Sequence, residues 1–538
     1  MVPAAAETVT LPVMPDAWSP EIVFRNPDGT YAAPWHASLM PDGRVLFIGV
    51  ERETFEPGVP TEGTVTTPNA FTMRPGPPAF PGEVVVDELA QPVAASGLRV
   101  DSFTVFDSLD CSGHALLADG RLLTVGGTRG FEADGGGLTI TGLPTATTYD
   151  GSTWRRLEAE VGAPGKSGRA GRWYPTVTKL ADGRMLVTGG FDSVTPDALP
   201  NLSTEVFDPG TDTFVADSAF GQTPFDVYAS DYPHVFTVPY AAAPVDVMMI
   251  GETGVPLLHK VGEPTNWDLT GLARPGSRPI EFPNHGATAA MLPLRVENGR
   301  WGYANGSVLV AGGAHGSTAN HSADVFDPIA RQWLPRVDLQ VGRHHGTAVV
   351  LPDSRMLVVA GHEEHGDGTR RAQYVDPASG FAAAIGASDG VEMRGYHNVA
   401  LLLPDGRVLV GGGRDRVVGT SGEKASFRYY YPWYMFTERP RVVEAPTEVA
   451  YGRPFSVVTA GPEATEFVLL ALGSVTHSFD QNQRSVQLRV MTSTDARGRR
   501  TSTVVAPPDG ATAPPGHYML VAVTGGRVPS EATIIRVS

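Results

Sequence analysis

Short apolar runs alternate with polar turns along most of this chain, and one form of that alternation recurs. An apolar run meets an Asp-Gly turn, and a second apolar run follows that ends in small residues. The copies are ASLMPDGRVLFIG from Ala37, ALLADGRLLTVGG from Ala115, TKLADGRMLVTGG from Thr178, AVVLPDSRMLVVAG from Ala348 and ALLLPDGRVLVGGG from Ala400. A looser copy, WGYANGSVLVAGG, begins at Trp301. β-Formers around a two-residue turn that demands positive φ predict a β-hairpin at each copy. Several copies lead into an aromatic residue and an Asp-Pro turn: VFDPGTDTF at Val206, VFDPIARQW at Val325 and YVDPASGF at Tyr374. These read as the outer strands of the same unit.

A repeated four-stranded unit of roughly 40–60 residues is the signature of a kelch-type β-propeller. The stretch HVFTVPYAAAPVDVMMIGETGVPLLHK from His234 fits a degenerate blade, which brings the expected count to seven over residues 1–440. No amphipathic helix of useful length is visible. From Arg441 to Ser538 the hairpin phrase is gone, and short alternating strands such as EFVLLAL, SVQLRV, HYMLVAV and ATIIRV follow. About a hundred residues of this kind suit an immunoglobulin-like β-sandwich. The expected fold is therefore all-β: a seven-bladed propeller over 1–440 and a sandwich over 441–538.

Composition narrows the partners more than it names one. Hydrophobic residues are 41% and charged residues 18% of 538, the balance of a globular chain. A net charge of −17 disfavours nucleic acid and anionic membrane surfaces. No run of ~20 apolar residues predicts a membrane span. The first residues lack a basic segment followed by a long apolar one. The single cysteine, Cys111, cannot form an internal disulfide, which leans toward an intracellular setting.

The hairpins share a register that places chemistry. Eight residues before the turn aspartates Asp119, Asp182, Asp353 and Asp405 stand Cys111, Tyr174, His345 and His397. His344 precedes His345, and Tyr396 precedes His397. Innermost propeller strands line the central channel, so equivalent positions converge. Eight extended residues span roughly 25 Å, which puts these side chains at the end opposite the turns. Nitrogen, oxygen and sulfur donors gathered there suit a redox transition metal such as copper. Taken singly, each has a plainer reading: a lone cysteine is commonly a small buried hydrophobe, and a tyrosine at a strand start commonly packs.

DCSGHALLADGRLLTVGG, GRWYPTVTKLADGRMLVTGG, MRGYHNVALLLPDGRVLVGGG, GSVTHSFDQNQR and PPGHYMLVAVTGGRVPSEATIIRV stand in this order along the chain. Together they resemble the copper radical oxidases, the family of galactose oxidase, glyoxal oxidase and their bacterial relatives. The resemblance implies a copper ion and a protein-derived cofactor in which Cys111 is joined by a thioether to Tyr174, the equatorial tyrosinate. It implies Tyr396 as the axial tyrosine, His397 as one histidine ligand and His477 as the other, delivered by a hairpin of the second domain. In such a site the metal handles one electron and a tyrosyl radical the second, and the thioether lowers the potential that holds the radical. The axial tyrosine, of ordinary pKa ~10, becomes acidic enough beside the metal to act as a base.

The implied reaction is oxidation of a small aldehyde or primary alcohol with dioxygen as acceptor and hydrogen peroxide as product. A peroxide-consuming enzyme is then a natural partner, and the family habit is export with the signal removed. The chain departs from galactose oxidase after VTGG, where Phe191-Asp192 replaces a tryptophan that covers the cross-linked tyrosine. Asp110 stands before the cysteine where an aromatic is expected, and Ala229 stands near the place of the sugar-binding arginine. Asp110, Phe191, His344 and His345 form the expected substrate pocket, polar and unsuited to galactose. The competing readings are a non-catalytic propeller that binds carbohydrate or protein, and an oxidase fold that holds copper but turns over poorly.

Three other features carry less. GHEEHGDG from Gly361 reads as a solvated loop rather than a metal motif. YYYPWY from Tyr429 reads as packing between the last blade and the second domain. The sequons at Asn201, Asn305 and Asn320 mark potential glycosylation only.

Overall fold

The computed structural model describes residues 18–538 apart from 53–67, 77–82, 90–98, 101–102, 133–137, 158–160, 162–170, 193–199, 216–219, 224–231, 240–244, 252–253, 261–266, 276–284, 297–305, 316–317, 340, 363–370, 377–380, 386–392, 415–422 and 497–498. Ala229, Asn305 and the Glu363–Glu364–His365 part of the histidine-rich stretch lie outside the described residues. Among the described residues the helical content is one 3-10 turn, Trp433–Phe436. Strands make up the rest of the regular structure.

Each Asp-Gly copy forms the two inner strands of an antiparallel array. The turn differs from the two-residue loop predicted. Met40 N–H donates to Arg44 O and Gly43 N–H to Met40 O, so the loop has three residues and only its glycine takes positive φ (82°). This is the type I turn with a glycine bulge. The same pair of bonds closes the turns at Gly120, Gly183 and Gly406, and at Ser354, whose φ is 68° without the freedom of glycine. The following arginine explains the Asp-Gly-Arg phrase. Asp42, Asp119, Asp182 and Asp405 each accept the arginine backbone N–H with one oxygen and its guanidinium with the other.

The arrays follow in chain order. Tyr31–Leu39 opens one with Val45–Arg52 and Pro68–Met73. Gly113–Leu116 and Leu122–Val125 open the next, and Trp173–Lys179 with Met185–Phe191 the one after. His234–Thr237 opens a four-stranded array although its sequence lacks the Asp-Gly phrase. Those opening on His285–Met291, Thr347–Val350 and Asn398–Leu402 complete the series. In the last, the outer strand is Ile22–Arg25 from the other end of the chain, paired with Ser426–Tyr430. One sheet was not foreseen. Arg99–Val100, Phe103–Ser108, Thr128–Glu132 and Leu138–Gly142 form a separate four-stranded sheet that flanks Cys111 on both sides in sequence. The strands of this insertion carry no turn phrase to announce them.

The C-terminal strands build a sandwich on one long shared strand. Ser485–Ala496 pairs through its first half with Ala464–Ala471 and through its second with Arg499–Val505. From this body a hairpin, Ser474–Thr476 and Phe479–Asp480, reaches out and pairs with Tyr31–Leu39, setting His36 opposite Thr476. YYYPWY packs as expected: Tyr429, Tyr430 and Tyr434 are buried, and Arg439 just beyond bonds to Asp405 O, Pro529 O and Ser530 O.

Candidate metal centre

The register positions share a backbone conformation as well as a spacing. Cys111 (φ 64°), Tyr174 (66°), His345 (57°) and His397 (67°) are all left-handed, and Tyr232 (45°) joins them one array further on. Each such residue without a glycine's freedom costs about 1–2 kcal/mol, so the surroundings must hold it there. Neighbouring arrays supply the hold. Tyr174 N–H donates to Cys111 O (2.9 Å), Tyr232 N–H to Tyr174 O (2.9 Å) and His345 N–H to Gly286 O (2.7 Å). Buried arginines two or three residues upstream pin the same turns from behind. Arg172, Arg343 and Arg394 donate to Gly189 O, Ala360 O and Gly412 O of the adjoining strands.

His477 arrives by a different route. It and Ser478 form the hairpin tip with φ of 45° and 74°, the two positive values a two-residue type I′ turn requires. Its ring lies 4.6 Å from that of His397, 4.9 Å from Tyr174 and 5.1 Å from Tyr396, centroid to centroid. The phenol oxygens of Tyr174 and Tyr396 are hydrogen-bonded to each other. The fold thus gathers Tyr174, Tyr396, His397 and His477 into one site, with Cys111 packed against Tyr174.

The hydrogen bonds decide which nitrogens are free. His397 donates from Nδ1 to Glu423 Oε1 at 2.8 Å. Thr476 Oγ1 donates to Trp35 O, so it accepts from His477 Nδ1 at 2.6 Å. Both Nε2 atoms are then lone-pair donors, buried and without a hydrogen-bond partner. Burial lowers the His397 ring from the ordinary histidine value against the pull of Glu423, and the His477 ring well below it, toward the neutral form a metal needs. Two orphaned imidazole nitrogens beside two phenol oxygens make a set that fits a copper ion. Among the described residues no three His, Cys, Asp or Glu are grouped to hold a metal; here the phenols complete the set.

A second layer of residues, none of them found from the sequence, orders the first. Burial pushes the Glu423 carboxyl up, but His397 and Arg414 outweigh it and hold it below the ordinary carboxylate value. With His397 neutral, that contact is a hydrogen bond rather than an ion pair, and Arg414 carries the charge complement. The Arg414 guanidinium also lies 5.6 Å from the Tyr396 ring centroid. Trp35 stacks on His397 at 4.2 Å. On the Cys111 side, Cys111 N–H donates to His36 Nε2 (3.2 Å), so His36 donates from Nδ1 to His114 Nε2 (3.0 Å) and His114 Nδ1 donates to Ser474 Oγ (2.6 Å). This buried chain ties the C-terminal hairpin to the cysteine turn.

The cover over Tyr174 comes from its own neighbour. The Trp173 ring stacks on Tyr174 at 3.8 Å and 28°, and Tyr232 packs at 4.9 Å. Phe191 pairs through its backbone with Trp173. His345 sets its ring edgewise on Tyr396 at 4.8 Å, and His344 lies 3.9 Å from His345. Asp110 is partly buried, with Oδ1 enclosed and unpartnered and its carboxyl raised to about 7 by burial. His362 corrects the solvated-loop reading: it is fully buried, and its Nε2 accepts the Tyr396 backbone N–H at 2.8 Å. Neither the spacing nor the composition of GHEEHGDG carried a signal for that bond.

Known proteins resemble the chain in both parts. Residues 439–537 match the family described as galactose oxidase-like, early set domain. "Aldehyde oxidase GLOX" of Vitis pseudoreticulata is 27% identical over 470 residues, 78% of this chain and 80% of that one. "Galactose oxidase" of Gibberella zeae is 26% identical over 219 residues, 37% of this chain and 30% of that one. A solved structure of a fungal alcohol oxidase of the AA5 family, in complex with copper, superposes with a TM-score of 0.69 at 19% identity, covering 97% of this chain and 99% of that one.

Proposed function

Because the chain belongs to the copper radical oxidase family, we propose that it oxidises a small aldehyde or primary alcohol with dioxygen, giving hydrogen peroxide, through a Cys111–Tyr174 thioether cofactor. The observation that carries this reading is the pair of orphaned Nε2 atoms of His397 and His477 beside the bonded phenols of Tyr174 and Tyr396. A binding scaffold has no use for two buried, neutral, unpartnered imidazole nitrogens, which cost free energy to leave unmet.

A bound copper ion supplies a one-electron redox centre and a Lewis acid for the substrate oxygen. His397 and His477 hold it by Nε2, Tyr174 and Tyr396 by their phenol oxygens. Tyr174 would supply the second oxidising equivalent, and a thioether from Cys111, which packs against its ring, would donate electron density that lowers the potential required. Forming that bond removes one hydrogen from the thiol and one from the ring, and dioxygen is the oxidant. Tyr396 would take the proton of the substrate hydroxyl, which for an aldehyde is a hydroxyl of its hydrate, and Tyr174 would take the hydrogen from the adjacent carbon. The substrate loses two electrons and two protons, and one dioxygen receives them as hydrogen peroxide. Trp173 and Tyr232 keep water from the Tyr174 ring, while His345 beside Tyr396 offers the substrate a polar contact.

Peroxide release by the copper-loaded protein tests the reading. Glyoxal, methylglyoxal, glycolaldehyde, glycerol, benzyl alcohol and galactose form the panel. Turnover is expected with the small aldehydes and alcohols; a strong preference for galactose contradicts the pocket, and no peroxide from any of them contradicts the activity.

A further inference from the structure

At the turn end of the channel, away from the metal centre, the C-terminal sandwich meets the inner strands around a cavity of about 30 Å3. Two cations line it, Lys179 and Arg484. Lys179 is only 9% exposed; its ammonium, which keeps a narrow contact with solvent, makes no hydrogen bond or ion pair among the described residues. Arg484 donates to Met291 Sδ and Thr237 O, meets no carboxylate among the described residues, and leaves its Nε buried and unpartnered. Three more lining groups are buried without a partner: Gln481 Nε2, Thr178 Oγ1 and His517 Nδ1. The one carboxylate in the lining, Asp480, has Oδ1 taken by the N–H groups of Ser474 and Asn482, and Asp119 lies near Lys179 but at the surface.

Buried charges are paired in folded proteins, because leaving one bare in a low dielectric costs several kcal/mol. Two bare cations on one cavity, joined by unpartnered donors, call for an acceptor of negative charge. We propose that this cavity is a binding site for a small inorganic anion of halide size, held by Lys179 and Arg484 and by the Gln481 amide. The volume admits one or two water-sized occupants, the size of a halide. Without such an anion, burial pulls the Lys179 amine down to about 7 and the Arg484 guanidinium to about 10, so the site itself resists being empty and charged. The segment Asp480–Gln481–Asn482–Gln483–Arg484 that walls the cavity continues directly from the hairpin carrying His477. Anion binding there therefore steadies the seam between sandwich and inner strands.

Crystals soaked in bromide test the site, with chloride as the solution probe. An anomalous peak is expected inside the cavity within hydrogen-bond reach of Lys179 Nζ and Arg484 Nε. In solution the Tm of the wild-type protein in sodium chloride should exceed that in sodium gluconate of equal ionic strength by roughly 2 °C or more. Lys179→Met should lose both the peak and the chloride-specific difference, while Lys179→Arg should keep them. Water alone in the cavity overturns the proposal, and so does a bromide peak at crystal concentration only, with no chloride-specific shift in Tm. The wild-type measurements decide the matter even where a variant fails to fold.

Discussion

The two halves of the metal centre are built from different materials. On the side of Tyr174 away from the histidines stand Cys111, Trp173 and Tyr232, an apolar cluster packed on its ring. Around Tyr396 stand Arg414, Glu423, His345 and the buried His362, all polar or charged. The phenols themselves touch, so the contrast lies in what surrounds each. An apolar, stacked environment protects an oxidised ring from water and from reductants. A charged and hydrogen-bonded one fixes a proton acceptor and its neighbouring ligand in place. One half is thus suited to holding an electron hole and the other to moving a proton.

Substitutions on the two sides should separate these roles. The largest effect is expected from Cys111→Ser, which removes the proposed thioether: kcat should fall on the order of 10³-fold, about 4 kcal/mol of barrier, while copper affinity stays near the wild-type value. Equal loss of both would erase the distinction. Next, Glu423→Ala should weaken copper binding about 10–100-fold and broaden the Cu(II) electron paramagnetic resonance spectrum. Glu423→Gln should recover most of the affinity, because an amide oxygen still accepts from His397 Nδ1. Failure of the glutamine to rescue would mean that Glu423 acts through Arg414 instead. A smaller change is expected from Trp173→Ala. Its oxidised form should decay faster by up to about 10-fold, the worth of one aromatic pair, with copper affinity unmoved. The smallest is His345→Ala, where KM for a small aldehyde should rise roughly 2- to 10-fold with kcat little altered. An effect on kcat alone would place His345 in the proton path rather than in the pocket.

Legibility in the sequence followed the repeat. Counting back from the Asp-Gly turns reached Cys111, Tyr174, His345 and His397 because those turns and those left-handed positions are fixed relative to one another by the same hairpin geometry. His477 has no such register, since its hairpin grows from the sandwich; only family resemblance reached it. With Phe191-Asp192 where a tryptophan usually stands, the cover over Tyr174 is either missing or drawn from elsewhere, and the residue beside Tyr174 supplies it. Glu423, Arg414 and Trp35 belong to no motif, and their roles exist only once distant strands converge. His362 sat in a stretch rich in charge and glycine, the composition of a surface loop, and is buried because Gly395 leaves room for its ring. The inserted sheet around Cys111 lacked the turn phrase, so nothing in the alternation set it apart from loop.

The central claim is that Cys111 and Tyr174 form one cofactor, and the intact mass with a thiol titration tests it most directly. After aerobic loading with Cu(II), the protein should lose the mass of two hydrogen atoms and its only thiol should no longer react with an alkylating reagent, even in denaturant. A chain of unchanged mass whose Cys111 remains fully alkylatable after copper loading would contradict it.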